Sequence, residues 1–72
     1  MHDDELIRMA NQIADYFKAY PREEAVPGIA THIRKFWEPR MRRRLLAISA
    51  DAAEKLHPLA REALPLIPVP AA

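Results

Sequence analysis

Residues 36–44 read "FWEPRMRRR", and the architecture turns on them. The ring of Pro39 clashes with the backbone before it and keeps Glu38 out of the helical region. The stretch therefore predicts a corner, with one helix ending at about Trp37 and another starting at Pro39. The same nine residues bring two aromatics, one carboxylate and four arginines to that corner.

Upstream of the corner, Val26, Ile29, Ile33, Phe36 and Trp37 recur at helical spacing and predict a helix over about 24–37. Pro27 fits its first turn, where backbone N–H groups lack internal partners. Arg34 and Lys35 fall at its C-terminal end, where cations are favoured. Further upstream, Leu6, Met9, Ala10, Ile13, Tyr16, Phe17 and Tyr20 share one side of a helix over about 3–20. Arg8, Asn11, Gln12, Asp15 and Lys18 share the other side, and Pro21 ends the helix. Asp3, Asp4 and Glu5 sit at its N-terminus, where carboxylates complement the helix dipole.

Downstream, Met41, Leu45 and Ile48 lie on one face of a third helix over about 39–49. "SADAAEKL" continues or restarts it, and "HPLAREAL" predicts a short helix over about 58–64 with Pro58 at its first position. "PLIPVPAA", residues 65–72, has a proline every second or third position and predicts an extended tail close to polyproline II. The expected fold is all-α: one domain over 1–64, a small bundle of three helices plus a short fourth, followed by the proline-rich C-terminal tail.

Size limits what such a fold can do alone. The chain has 72 residues and no cysteine. A domain this short buries only about 60% of the surface its unfolded chain exposes, and comparable scaffolds rely on disulfides, a metal or a partner. Without cysteine, neither a disulfide framework nor a thiolate zinc site is available. The acidic start "MHDDELIRM" is unlike a secretory signal. No apolar run reaches the ~20 residues that span a bilayer. A soluble, cytoplasmic protein is expected.

The formal net charge of +1 conceals segregation. Residues 1–24 carry six acids and three bases, residues 25–44 six bases and one acid, and the remainder two bases and three acids. The first helix also has an apolar side that, with Ile7 and Ala14, covers roughly half its circumference, against the ~100° a surface helix needs. That surplus predicts a second buried surface, and hence a partner.

Catalytic chemistry finds little support. His2, His32 and His57 lie on separate segments, none with a second ligand at i+3 or i+4. His32 borders an apolar face and His57 precedes Pro58, so packing and capping roles are expected of them. Ser49 and Thr31 have no neighbouring base, and a lone Gly28 makes no phosphate loop. Nucleic-acid binding is the alternative, since aromatics interleaved with cations suit base stacking. Against it, Arg40, Arg42, Arg43 and Arg44 fan around a helix instead of lining one stripe, and the acidic first helix would repel a polyanion. A membrane-surface helix is disfavoured because the broad apolar face belongs to that acidic helix. A partner anchor uses the same residues more fully, because Trp and Arg are enriched at interface hot spots and guanidinium groups pair bidentately.

With "LIRMANQIADYF" at 6–17 and "GIATHIRKFWEPRMRRRLL" at 28–46, the chain resembles the delta subunit of the soluble, molybdenum-containing, NAD-dependent formate dehydrogenases. The resemblance covers about residues 5–48 and is weaker around "HPLAREAL". It implies a cofactor-free, non-catalytic subunit of a cytoplasmic complex that oxidises formate and reduces NAD. It implies an alpha subunit with a bis-molybdopterin guanine dinucleotide molybdenum centre and iron–sulfur clusters as the direct partner. It further implies a beta subunit with FMN and the NAD site, and a gamma subunit with another iron–sulfur cluster. The expected interface comprises Asn11, Phe17, Phe36, Trp37, Pro39, Arg40, Met41, Arg42, Arg43 and Arg44.

Overall fold

A computed structural model describes residues 2–68. Four α-helices follow one another: α1 (Asp3–Phe17), α2 (Arg22–Phe36), α3 (Pro39–Ala52) and α4 (Pro58–Ala63). Short 3-10 turns at Ala53–Lys55 and Leu64–Leu66 follow α3 and α4. No strand occurs among the described residues, so the chain is all-α.

The corner forms as the proline requires. Trp37 and Glu38 are both extended, with φ/ψ of −89°/141° and −66°/151°, and Pro39 occupies the first turn of α3. In that first turn, Pro39 forfeits no helical hydrogen bond.

The bundle is organised around α1, which contacts all three other helices, while α2 packs most extensively on α4. Leu6, Ile7, Ala10 and Ala14 turn one side of α1 into the core, where they meet Ile29, Ile33, Trp37, Leu45 and Ile48. Alanines at 10, 14, 30, 60 and 63 are also buried, and their small side chains allow the helices to pack closely. Leu6, Ile29, Ile33 and Leu45 are the largest fully buried side chains, and each such burial stabilises by about 1.5–3 kcal/mol. Among the described residues no polar or charged side chain is fully buried.

Several boundaries differ from expectation. The first helix ends at Phe17, not at Tyr20, because the chain closes a turn from the Tyr20 N–H to the Phe17 carbonyl at 2.9 Å before Pro21. The second begins at Arg22, so Pro27 lies inside it, beyond the first turn. Its missing N–H leaves the Glu23 carbonyl without an i+4 donor. The third helix runs on to Ala52. The proline-rich stretch starts as a 3-10 turn, and Ile67 (φ/ψ −89°/119°) is the first extended residue in it. Ile67 is buried in the core, which holds the start of this stretch against the bundle. Residues 69–72 of the expected tail lie outside the described residues.

Polar staples hold the short elements in place. Asn11 donates from Nδ2 to the Lys55 carbonyl at 2.9 Å and accepts from the His57 N–H at 2.8 Å, which clamps the α3–α4 link to α1. His57 caps α4 through Nδ1, which accepts from the Leu59 N–H at 3.1 Å. Arg22 and Glu62 form an ion pair between α2 and α4.

Candidate functional site: an aromatic groove beside a basic corner

The surplus apolar surface of α1 gathers in one place. Met9, Ile13, Tyr16 and Phe17 form one wall of a groove of about 640 Å³, His32 lies on the opposite wall, and Trp37 contributes to its lining. The spacings explain the walls. Residues 9, 13, 16 and 17 follow the i, i+3/i+4 ladder of α1 next to its buried face, and His32 is flanked on its i±4 ladder of α2 by Gly28 and Phe36, which stand beside the lining. The two helices approach closely at Gly28, where a Cβ would come within 2.6 Å of the Phe17 ring. A side chain there would push the ring out of the groove wall.

Aromatic rings crowd this surface. Tyr16 and Phe17 meet edge to face at 5.1 Å, Phe17 and Tyr20 are tilted at 5.7 Å, and His32 and Phe36 are tilted at 4.8 Å. Tyr16 is 66% exposed and Phe36 72%. Tyr16 packs on Phe17 and Tyr20, so the exposed rings there form a continuous apolar patch of the kind that marks an interaction site. A hydrogen bond with Tyr16 raises the pKa of the Tyr20 phenol above its ordinary value, with the charges of Tyr16 and Glu24 and partial burial adding to it. Glu23 and Glu24, in the first turn of α2, are exposed at the Tyr20 end of the groove. At the other end lie exposed Lys35, beside Phe36, and exposed Arg40, just past Trp37.

The structure separates the ten residues expected at an interface. Phe17 and Trp37 line the groove, but Trp37 is only 5% exposed and serves mainly as core. Phe36, expected on the apolar side of its helix, points to solvent instead. The helix ends at Phe36, and the i+4 ladder from Ile29 and Ile33 leads to Trp37 and not to its neighbour. Asn11 is occupied by the α3–α4 link. Met41 is half-buried against the core, and Pro39 is exposed at the corner.

The arginines also divide. Arg42 reaches back across the corner, and its Nη1 donates to the Arg34 carbonyl at 3.0 Å and the Trp37 carbonyl at 2.8 Å. It thereby satisfies carbonyls at the end of α2 that have no helical donor. Arg44 pairs bidentately with Asp3 at 2.9 and 2.8 Å, joining α3 to the start of α1. That hydrogen bond holds the Asp3 carboxyl below its ordinary pKa, burial opposing it and the charge of Arg44 adding to it, and the same bond raises the Arg44 guanidinium. Arg43 is exposed and engaged within the chain. Arg40 is exposed and, among the described residues, makes no hydrogen bond or ion pair. The aromatic contribution of Tyr16 and Tyr20 was readable in the α1 periodicity. The inward turn of Arg42 was signalled only by its position six residues past the end of α2.

No group of three or more His, Cys, Asp or Glu side chains that could hold a metal occurs among the described residues, and none of their helices is long and apolar enough to cross a membrane. The arrangement offers a surface for contact.

Among known proteins, the family model of the NADH-dependent formate dehydrogenase delta subunit FdsD matches this chain over residues 5–64. No curated protein matches, and no solved structure matches.

Proposed function

The chain belongs to the FdsD family of NADH-dependent formate dehydrogenase delta subunits, and from that membership we propose that it is a non-catalytic accessory subunit that binds the large, molybdenum-containing alpha subunit. In this reading the beta and gamma subunits belong to the same cytoplasmic complex. The molybdenum centre, iron–sulfur clusters, FMN and NAD reside in those other subunits. The donor set of this chain suits none of the metal centres, since it has no cysteine to ligate iron.

The observation that carries the proposal is the open aromatic groove on a chain too small to cover it. Binding there would stabilise whichever form of the large subunit presents the complementary surface. The stabilisation follows from mass action: a ligand that prefers one state adds RT ln(1 + [L]/Kd) to the stability of that state. Assembly, cofactor retention and stability of the enzyme would all benefit from one such contact.

Nucleic-acid binding draws less support from the geometry. A phosphate-tracking stripe needs converging cations, and two of the four corner arginines, Arg42 and Arg44, are turned to partners within the fold.

The test is purification of the formate dehydrogenase complex from cells with and without this chain. The expected result is stoichiometric recovery of the chain with the large subunit. Without it, molybdenum content and formate-dependent NAD reduction should both fall. Failure of the chain to co-purify with any formate dehydrogenase subunit, together with unchanged molybdenum content, would overturn the proposal.

A further inference from the structure

We infer that the groove between α1 and α2 receives an amphipathic helix of the large subunit, with an apolar stripe facing the groove and carboxylates at the end that meets Lys35 and Arg40. The inference rests on the proposed function and specifies the chemistry of the partner segment.

The kind of occupant follows from the backbone. Both walls are helices whose N–H and C=O groups are paired along the groove, and no strand edge exists among the described residues. The walls thus offer side chains and no backbone hydrogen bonds, so an occupant must satisfy its own backbone, which a helix does. Along the α1 wall, Met9 to Phe17 span about 12 Å at 1.5 Å per residue. That length takes about two turns of helix, enough for anchors at i, i+3 or i+4, and i+7.

Charge fixes the chemistry at the ends. Arg34, Lys35 and Arg40 are exposed around Phe36 and Trp37 against one exposed carboxylate, Glu38, and Arg40 has no partner among the described residues. At the opposite end Glu23 and Glu24 stand exposed in the first turn of α2, while Asp15 is paired with Lys18 and Arg22 with Glu62. An occupant with acids at the Phe36 end and none at the Tyr20 end matches both, and the reversed arrangement places like charges together.

A second copy of the chain fits poorly. Two copies apposed by this face would set one concave groove against another, rim to rim at Tyr16 and Phe36, leaving the volume of about 640 Å³ in each unfilled. A protruding ridge fills it.

The experiment uses the assembled complex, with a photo-cross-linking residue placed at position 36 in one version and at position 20 in another. Both should cross-link to one segment of the large subunit that has apolar residues at helical spacing, and the site reached from position 36 should adjoin Asp or Glu. Cross-links to a second copy, to segments lacking that pattern, or no cross-link from either position in an intact complex would overturn the inference. Two variants add an independent readout: Tyr16→Ala with Phe36→Ala, and Lys35→Glu with Arg40→Glu. Each pair alters exposed side chains, so the isolated chain should keep its helical circular dichroism while binding to the large subunit weakens about tenfold or more. The loss for the charge pair should shrink as salt rises. If the unaltered chain co-purifies and both variants do so equally, the groove is not the docking site although the proposed function stands. If the unaltered chain itself fails to co-purify, the proposed function fails first.

Discussion

Arg42 looks like an interface residue in the sequence and behaves as a structural one in the fold, and replacing it with alanine separates the two roles. A hydrogen bond from a charged donor contributes about 1.5–3 kcal/mol, and one in water much less. The bond to the Trp37 carbonyl is part-buried and the one to the Arg34 carbonyl is exposed. The Arg42 Nε is buried without an acceptor, which offsets some of the gain. A net loss of about 2 kcal/mol is expected for Arg42→Ala. At about 4–8 °C per kcal/mol for a domain of this size, the melting temperature should fall by about 8–16 °C. Against a total stability of about 4–11 kcal/mol, that is a large fraction. Arg42→Lys keeps the charge but loses the fork, and should give about half the loss. Arg40→Ala should stay within about 0.5 kcal/mol, as exposed substitutions do. Thermal melts of the isolated chains followed by circular dichroism decide the matter. Equal melting of Arg42→Ala and Arg40→Ala would refute the assignment of Arg42 to the helix end.

Asn11→Ala should cost about 1–3 kcal/mol, because it removes two hydrogen bonds and leaves the part-buried His57 N–H without its acceptor. Urea titration should show a lower midpoint with an unchanged slope. Pro27→Ala should stabilise α2 by about 1–2 kcal/mol, since it restores a donor for the Glu23 carbonyl at some cost in unfolded-state entropy. Hydrogen exchange should then slow at the start of that helix. The Asp3 carboxyl is held low by Arg44, so its contribution is present above the ordinary carboxyl pKa of about 3.9 and is lost as pH falls through the lower folded value. A stability gap between the unaltered chain and Asp3→Asn should therefore exist near neutral pH, close in strong acid, and narrow with added salt.

The corner at Pro39 and the inner face of α1 were legible because each rests on local sterics or on a period of 3.6. The width of the α1 apolar side was legible too: its inner half is core and its outer half is the groove wall. Phe36 was misplaced because helical spacing cannot tell which of two adjacent aromatics follows the core ladder when the helix ends between them. Arg42 and Arg44 read as a uniform basic run because their partners are set by the corner angle and by the packing of α3 on α1. Asn11 gave no signal at all, since its partners lie 44 and 46 residues away along the chain. The sequence puts Pro27 in a first turn because Pro21, six residues nearer the start, reads only as a stop, although it serves also as the residue before α2.

Titration of this chain into formate dehydrogenase complex prepared without it, followed by calorimetry, bears on the whole reading. One chain should bind per large subunit at micromolar concentrations or below, and the Tyr16→Ala, Phe36→Ala double variant should bind about tenfold or more weakly. Absence of binding at tens of micromolar by a chain that is folded and monomeric would contradict it.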